Sequence, residues 1–458
     1  MNIILGDALM KMFDIPQSID KYLDIKLDCS CGRTHYVPIK AVLVESGAIN
    51  KLPYYVEKYG YKRPYIICDE ITYKIAAKKC EELLAENNIS YSTVILKHLG
   101  FDEATLGELV INMPVDTDLM IAVGTGSITD MIRYTSYKLH LPCFTIATGA
   151  PMDGFAASIG IVNVNNLKAT MQAHNSQVII GDTDILKTAP YRMTVAGFGD
   201  LIGKLTCLND WELARIINGE HYCGNIVKLV KNCVESVLND SYRIKEREPD
   251  VLGDVMRGLV LSGAAISLYG DSRPASGAEH HMSHYWETVM EQRGEVHAMH
   301  GEQVAVGTVL VLMLAEELAA VKPDFEKARS FVKGFDKKHW EAEINRTYGS
   351  AAGEVFAIEE KSGKNDAAAC LARIDSMEKH WDEIVTQLRT LPSSASLKAV
   401  LDDIGCPASP SQIGIDAATL KDTFMYCKEV RPRYTIFQTV YDLGLMDELS
   451  TKIIEKVY

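Results

Sequence analysis

The sequence predicts an α/β domain built on a parallel sheet, followed by an all-helical domain, with the binding site in the cleft between them. Two observations support this prediction. Short apolar runs of strand length alternate with helical segments over the first 190 residues, and long helical patterns fill the rest of the chain. The change in pattern lies near residue 188, so the expected domains are 1–188 and 189–458.

Four apolar runs are the predicted strands of the sheet, at residues 64–68, 92–96, 118–123 and 142–147. Helices are predicted over 70–86 and from Gly126 to about Leu139, between successive strands. Strands that alternate with helices are joined by crossovers. They therefore run parallel, and both faces of their sheet are covered.

Helical patterns dominate the second half of the chain. They cover residues 198–218, 225–239, 250–269, 276–293, 301–320 and 411–428. Proline and serine at 392–397 and at 406–410 are typical of turns or linkers between helices. This half is therefore expected to be all-helical.

The composition excludes several classes of protein. The chain has 458 residues, of which 47% are hydrophobic and 24% charged, as in folded globular proteins. Its net charge of −14 is opposite in sign to the positive charge that is typical of nucleic-acid-binding proteins. The sequence shows no signal-peptide pattern and no uncharged apolar stretch of membrane-spanning length. We therefore expect a cytoplasmic protein with reduced cysteines and with no nucleic-acid or membrane partner.

A glycine-rich turn follows the third predicted strand. Gly124, Gly126 and Ser127 lie where that strand meets the next helix. Glycines let a phosphate approach the backbone, and a helix N-terminus offers amides and the positive end of the helix dipole. A plain turn explains the segment equally well, because the motif is not the GxGxxG of a standard dinucleotide-binding fold.

Two acidic residues follow predicted strands, at the edge where ligands gather in parallel sheets. Asp69 ends the first strand, where a carboxylate either binds the ribose hydroxyls of a dinucleotide or caps the next helix. Asp153 follows the fourth strand among small residues, where it either contacts a ligand or forms an Asp-Gly turn.

Five of the twelve histidines lie between His280 and His300. His280 and His284 are four residues apart and share a helix face, and upstream Asp200 and Lys204 have the same spacing. One carboxylate and two imidazoles with an open position are typical of a catalytic divalent-metal site, which we favour over a solvated polar face. Such oxygen and nitrogen ligands suit zinc, nickel or ferrous iron.

Cys29, Cys31 and His35 look like part of a zinc-binding motif. A structural zinc site needs four ligands, and no second pair of cysteines or histidines lies nearby in the sequence. We therefore predict a β-turn with small packing residues at this place rather than a metal site.

Five motifs together resemble the superfamily of iron-containing alcohol dehydrogenases and dehydroquinate synthases, and within it most closely the bacterial glycerol-1-phosphate dehydrogenases. The motifs are GTGSITD at 124–130, TGAPMDGF at 148–155, GFGDLIGK at 197–204, SRPASGAEHHMSH at 272–284 and HGEQVAVGT at 300–308. They occur in the family's order over about residues 40–320. Thr125 departs from the third glycine that this family usually carries in the first motif.

The resemblance implies that the α/β domain is a dinucleotide-binding domain for NAD or NADP. The residues that would line the cofactor are Gly126, Ser127, Asp130 and Thr148. Asp69 and Gly124, the candidates from the local pattern, join this set.

The resemblance also implies one divalent metal (nickel, zinc or iron) beside the substrate in the interdomain cleft. Its ligands would be Asp200, His280 and His300. His284 would face the substrate oxygen and transfer a proton, so Asp200 and His284 are the expected catalytic residues. Both of them, with Asp153, would contact the substrate. His281 points away from His280 on a helix and is not included.

The implied reaction interconverts dihydroxyacetone phosphate and sn-glycerol 1-phosphate by hydride transfer with NAD(P), as part of phospholipid metabolism. A homo-oligomer, in the simplest case a homodimer, is expected. Lys204 and Arg273 are the candidate cations for the substrate phosphate. Two alternatives stay open, which are a cyclase similar to dehydroquinate synthase and a dehydrogenase of glycerol or another unphosphorylated alcohol.

Overall fold

The computed structural model describes residues 23–98, 100–164 and 167–458, which form two compact units. The α/β unit contains the described residues up to Leu201 together with Gly224–Ser272. The helical unit contains Ile202–Cys223 and Arg273–Tyr458. The chain thus passes between the units three times, whereas the sequence analysis drew one boundary at residue 188. The segment after Gly224 joins the α/β unit because its long apolar helix packs against the first strand of the central sheet.

The strands of the described residues, numbered along the chain, are β1 Leu27–Asp28, β2 Thr34–His35, β3 Ala41–Glu45, β4 Pro64–Asp69, β5 Ser92–Leu96, β6 Leu119–Gly124, β7 Cys143–Ala147, β8 Ile159–Val164, β9 Leu167–Gln172 and β10 Val178–Asp182. Six of them form one parallel sheet in the order β3–β10–β7–β6–β4–β5, and β1–β2 and β8–β9 are antiparallel pairs. The predicted parallel sheet is confirmed, and the four predicted strands are β4, β5, β6 and β7. The sequence analysis did not predict β3 and β10.

Both faces of the central sheet are buried. Ile66 and Cys68 of β4 belong to one apolar cluster, and Tyr65 and Ile67, which alternate with them, belong to another. Because alternate side chains of a strand point to opposite faces, the two clusters are the two covered faces of the sheet. This burial explains why β4 is a continuous apolar run instead of an alternating pattern.

The helices of the α/β unit are α1 Leu52–Lys58, α2 Glu70–Thr72, α3 Lys78–Glu86, α4 Glu103–Ile111, α5 Gly126–Leu139, α6 Thr183–Leu186, α7 Tyr191–Ile202, α9 Gly224–Asn239 and α10 Pro249–Tyr269. A π-helical turn, Tyr73–Ala77, joins α2 to α3, so residues 70–86 are helical throughout, as predicted. Helix α7 ends where the chain leaves this unit.

The helices of the helical unit are α8 Lys204–Asn218, α11 Ala278–Gln292, α12 His300–Ala320, α13 Phe325–Lys333, α14 Lys337–Tyr348, α15 Ala352–Ser362, α16 Ala367–Leu388, α17 Ser394–Ile404, α18 Ala417–Tyr426, α19 Ile436–Asp442 and α20 Met446–Val457. The predicted helix 198–218 is divided at Gly203 into α7 and α8. The turn predicted at 392–397 is wrong in its second part, because Ser393 caps α17, which begins at Ser394.

In the part of the chain that the structure describes, two helices, α10 and α12, have the length and hydropathy of a membrane span. In both, most of the apolar window is buried within the protein, 83% for α10 and 72% for α12. Burial of this kind is typical of the core helices of globular proteins.

A buried ionic cluster lies in the helical unit. Glu429 accepts a hydrogen bond from Lys428 Nζ at 2.5 Å and lies 3.0 Å from Lys364 Nζ. The amide of Asn365 donates to Glu429 and accepts from Lys428. Burial alone would raise the pKa of Glu429, but the two ammonium groups outweigh this effect and lower that pKa to about 2. The carboxylate is therefore ionised and compensates two buried positive charges.

We expect Glu429→Gln to lower the free energy of unfolding of the helical unit by about 3–5 kcal/mol, since two buried ammonium groups lose their carboxylate. The matched control is Glu378→Gln, which removes an exposed partner of Arg329 and should cost less than about 1 kcal/mol. All four tryptophans lie in the helical unit, so urea unfolding followed by tryptophan fluorescence measures this unit. Equal losses in the two variants would contradict the role given to Glu429.

Candidate active site

The strand order of the central sheet reverses between β4 and β6. From β4 the chain continues outward to β5, returns to β6 on the other side of β4, and then proceeds through β7 to β10. Asp69 and Gly124 each lie two residues beyond the paired residues Ile67 and Ala122 of these strands. They are therefore at the carboxyl ends of the strands, at the position where open α/β sheets bind their ligands.

Helix α5 begins at this edge of the sheet. Its N-cap, Thr125, makes no side-chain hydrogen bond to the helix, and the first turn contains no acidic residue. The turn therefore presents backbone amides and the positive end of the helix dipole to an anion. Thr148 N donates to Gly124 O at 3.1 Å, which places the residue after β7 beside the glycine turn. The structure thus brings together Gly124, Gly126, Ser127 and Thr148.

Two other predicted cofactor residues have structural partners. One carboxylate oxygen of Asp69 accepts hydrogen bonds from the amides of Ile71 and Thr72, at 2.8 and 2.7 Å. Asp69 therefore caps the following helix, which was the alternative interpretation. Asp130 forms a buried ion pair with Arg133, whose guanidinium also donates to the carbonyl oxygen of Ala157. The carboxylate of Asp130 thus helps to fix the loop that follows Gly154.

Helix α7 places Asp200 beside the loop that contains Asp153. A Cβ on Gly197 would lie 1.9 Å from the carbonyl oxygen of Ala150, so only glycine allows the helix this close to the loop. One turn further along, Asp200 Oδ2 accepts a hydrogen bond from Asp153 N at 2.9 Å. Asp153 Oδ2 accepts in turn from Ser262 Oγ at 2.7 Å. Two predicted substrate residues of the α/β unit are therefore neighbours.

Three histidines of the helical unit come together. Helix α11 carries His280 and His284, and α12 begins at His300. The ring centroids of His280 and His300 are 5.2 Å apart, and those of His284 and His300 are 5.7 Å apart. Gly307 of α12 allows this approach, because a Cβ there would lie 2.9 Å from the carbonyl oxygen of Glu279.

The two remaining histidines of the region have other surroundings. His281 is fully buried, and neither ring nitrogen has a hydrogen-bond partner among the described residues. Burial lowers its pKa well below the ordinary value, so its ring is neutral. His297 Nδ1 lies 2.9 Å from the carbonyl oxygen of Ala298, in the loop before α12.

Glu279 orients His280. This carboxylate is completely buried, and it accepts from His280 Nδ1 at 2.7 Å, from Thr206 Oγ1 at 2.6 Å and from Gly277 N at 2.6 Å. Burial alone would raise the pKa of Glu279, but the hydrogen bonds from His280 and Thr206 hold it below its ordinary value. An ionised carboxylate only accepts hydrogen bonds, so the proton of His280 is on Nδ1 and its Nε2 carries a lone pair.

Glu287 and Ser283 act on His284 and His300 in a similar way. His300 Nδ1 lies 3.2 Å from Ser283 Oγ and 3.4 Å from Glu287 Oε1. The other oxygen of Glu287 lies 3.6 Å from His284 Nδ1. Burial lowers the pKa of His284 to about 4, although the neighbouring Glu287 acts against this shift, so the ring is neutral at pH 7.

The sequence analysis missed both of these carboxylates. A signal was present for Glu287, which follows His284 by three residues and thus lies on the same helix face. Glu279 gave no such signal, because it is adjacent to His280 in sequence and its other partners lie on a separate helix and in the preceding loop.

The structure gives Arg273 a role other than phosphate binding. Its side chain is buried and makes two hydrogen bonds to Glu220, one of them Nε–Oε1 at 2.7 Å, and a third to the carbonyl oxygen of Tyr434 at 2.8 Å. This bidentate ion pair fixes the start of the segment that leads to α11. Lys204 is completely buried at the start of α8.

The fold and the site together define a class of protein. A model of the iron-containing alcohol dehydrogenase family matches residues 43–190. Among solved structures, a probable glycerol dehydrogenase of Sinorhizobium meliloti superimposes with a TM-score of 0.59 at 14% identity, over 92% of this chain and 98% of that one. A maleylacetate reductase of Agrobacterium tumefaciens superimposes with a TM-score of 0.60 at 12% identity, over 92% and 97% of the two chains. The fold is that of these dehydrogenases.

Curated relatives narrow the class to one family. A glycerol-1-phosphate dehydrogenase [NAD(P)+] of Bacillus velezensis is 32% identical over 303 residues, which are 64% of this chain and 77% of the relative. One of Halalkalibacterium halodurans is 28% identical over 415 residues, 89% of this chain and 94% of the relative. The chain belongs to the glycerol-1-phosphate dehydrogenase family.

We expect Gly197→Ala to lower the free energy of unfolding of the α/β unit by about 1–3 kcal/mol or more, because the new methyl group overlaps the Ala150 carbonyl. The matched control is Gly107→Ala in α4, where a Cβ meets no atom within 4 Å and helix propensity improves. Thermal unfolding followed by circular dichroism measures both variants. A Gly197→Ala protein as stable as the Gly107→Ala protein would contradict the close packing of α7 on this loop.

Proposed function

We propose that this chain is an NAD(P)-dependent sn-glycerol-1-phosphate dehydrogenase that uses one divalent metal held by Asp200, His280 and His300. One observation carries the proposal, which is the family membership established by relatives named for this activity. The structural neighbours are dehydrogenases of other substrates and support the fold alone. The residue assignments below rest on the geometry within each unit and on the motifs of the family.

The ligand chemistry of the two histidines fits a metal ion. His280 and His300 offer ring nitrogens within 4.8 Å of each other. In each ring Nδ1 faces an oxygen of the protein, so Nε2 is the atom available to an ion. Asp200 is the third ligand, a hard oxygen donor, that the motifs of the family supply. Three protein ligands leave a coordination position for substrate, as in catalytic sites.

The edge of the central sheet fits a dinucleotide. The helix α5 turn with Gly126 and Ser127 suits a pyrophosphate, because it presents amides without a competing side-chain cap. Asp69 uses one oxygen to cap its own helix, and its other oxygen is the atom we assign to the ribose hydroxyls. Thr148 and Gly124 line the same turn. Asp130 supports the loop through Arg133.

When bound, the nicotinamide supplies the hydride for C2 of dihydroxyacetone phosphate, and the metal acts as a Lewis acid on the C2 carbonyl. The residues of the chain position the substrate and manage the proton. Asp153 and Asp200, joined by the bond between Asp153 N and Asp200 Oδ2, are the oxygen acceptors for the substrate hydroxyls.

His284 is the proposed proton-transfer residue. Its Nδ1 faces Glu287, so its Nε2 is the atom assigned to the substrate oxygen. With a pKa of about 4 the ring is neutral at pH 7. In the direction of alcohol oxidation, Nε2 accepts the proton of the substrate hydroxyl while Nδ1 passes its own proton to Glu287. Reduction of the ketone reverses both transfers, and the ring stays neutral.

The remaining features of the proposal concern the phosphate and the compartment. Lys204, four residues after Asp200, is the cation that we assign to the substrate phosphate, now that Arg273 is paired with Glu220. None of the eleven cysteines, which all lie in the described residues, forms a disulfide, as in proteins of reducing compartments, and we therefore propose a cytoplasmic location.

The test is NADH oxidation with dihydroxyacetone phosphate. The protein is stripped of metal with a chelator and refilled separately with zinc, nickel and ferrous iron, and NADH should be consumed only after refilling. Asp200→Asn and His280→Ala should lower kcat/KM at least about 100-fold, because each removes a ligand of the Lewis acid. The control His297→Ala should keep both metal and activity.

Near-normal turnover of either ligand variant would overturn the metal assignment. The same assay addresses the alternatives, because a cyclase that returns its hydride shows no net NADH consumption. A dehydrogenase of unphosphorylated alcohols would prefer dihydroxyacetone to its phosphate. The product should also resist oxidation by an enzyme specific for sn-glycerol 3-phosphate.

We expect His284→Asn to lower kcat by about 10²–10⁴-fold while the metal content stays unchanged, since proton transfer is removed and no metal ligand is lost. Metal analysis is the decisive control. His284, Glu287 and His300 also offer ligand atoms within 4.8 Å of one another. Loss of the metal from this variant would make His284 a ligand and would contradict its role in proton transfer.

A further inference from the structure

We propose that the chain has a second metal site, in which zinc is bound by Cys29, Cys31, His35 and Cys223. These four residues form a group whose nitrogen and sulfur atoms could hold an ion. This group shares no residue with the proposed metal site of Asp200, His280 and His300, which we call the histidine site. Four protein ligands leave no open position, so the site is structural.

Three of the ligands come from one tight hairpin. Strands β1 and β2 pair antiparallel, with Leu27 opposite His35, and the turn between them is closed by hydrogen bonds from Cys29 N to Arg33 O and from Gly32 N to Cys29 O, both at 3.0 Å. Gly32 has a φ of 87°, which favours glycine. The predicted β-turn is therefore present, and it directs a CxC pair and a histidine toward each other.

The distances within the hairpin suit zinc. The sulfur and nitrogen atoms of Cys29, Cys31 and His35 lie within 4.8 Å of one another. Cys31 Sγ and His35 Nε2 are 3.3 Å apart. With Zn–S near 2.3 Å and Zn–N near 2.0 Å, a sulfur and a nitrogen ligand of a tetrahedral zinc are separated by about 3.5 Å. The pair is therefore close to the separation that an ion would impose.

The second nitrogen of His35 is held as in other zinc sites. His35 is buried, and its Nδ1 lies 2.8 Å from the carbonyl oxygen of Leu268. A carbonyl oxygen only accepts, so the proton is on Nδ1 and Nε2 presents its lone pair to the sulfur atoms. This hydrogen bond from the distal nitrogen to a backbone carbonyl is the usual support of a metal-binding histidine.

The fourth ligand comes from the residue that precedes α9. Asn225, the second residue of that helix, donates from Nδ2 to Cys29 Sγ at 3.1 Å and to Ser30 Oγ at 3.2 Å. Cys223 is two residues before Asn225, so its Cα lies within about 7 Å of that of Asn225. Cys223 is completely buried. An amide that donates to sulfur also stabilises the thiolate form that zinc requires.

Zinc is the ion that this donor set selects. Three thiolates and one imidazole are soft ligands, whereas the carboxylate and imidazoles of the histidine site also suit nickel and iron. The ion would connect the hairpin β1–β2 to the chain directly before α9. The hairpin and α9 belong to the α/β unit, and Cys223 is bonded to Gly224, the first residue of that unit's second segment. A pair of two-residue strands has little stability by itself, and the ion would hold this pair in place.

The experiment compares metal content in the full-length protein purified without added metal. Wild type should contain one equivalent of zinc beyond the metal of the histidine site. Cys223→Ser and Cys29→Ser should each lose that equivalent and melt at a lower temperature. Ser30→Ala, which changes the residue between the two hairpin cysteines, should keep it. Asp200→Asn should lose the other metal and retain this zinc.

A measurement on unaltered cysteines covers the case in which the cysteine variants do not fold. In the Asp200→Asn protein, an organomercurial reagent should release one zinc as three thiols react, and replacement by Co²⁺ should give thiolate-to-cobalt charge-transfer bands of a tetrahedral site. Absence of zinc from Asp200→Asn would overturn the proposal. So would zinc release that does not depend on thiol reaction, or a disulfide among these cysteines in the native protein.

Discussion

The buried carboxylate of Glu279 is the interaction on which the histidine site depends. A charge without solvent is tolerated only where several donors satisfy it, and here a hydroxyl, a backbone amide and an imidazole do so. The result is a fixed tautomer and a fixed ring for His280. Since the hydroxyl comes from α8 and the ring from α11, the same charge also connects these two helices.

A second constraint is the close approach of backbone to backbone around the catalytic motifs. The α7 helix lies against the carbonyl of Ala150, and α12 lies against the carbonyl of Glu279, in each case at a glycine. Such contacts allow little movement, because any added atom overlaps a backbone oxygen. Asp200 lies one turn from Gly197 in α7, and His300 lies two turns from Gly307 in α12. Both side chains are therefore positioned on rigid elements.

Buried charges recur in the chain with different tasks. In the helical unit, Glu429 compensates two lysines, and Arg273 is paired with Glu220. In both clusters the charges are balanced by protein side chains alone. The carboxylates that face imidazoles do something else, since they set which ring nitrogen carries the proton. The same logic extends to His35, where a backbone carbonyl replaces the carboxylate. The partner of a buried polar group therefore determines whether its effect is charge compensation or the choice of a ring tautomer.

The sequence by itself determined the parallel sheet, four of its strands, and the glycine turn that begins α5, because apolar runs and glycine turns are local patterns. The resemblance to a family, rather than local pattern, supplied the proposed ligand set Asp200, His280 and His300. Tertiary structure alone decided that Arg273 meets Glu220, that Glu279 holds His280, and that Asn225 donates to Cys29. These are contacts between residues that are distant in sequence or placed by a neighbouring element, and a local pattern carries no record of which partner a folded chain will bring near.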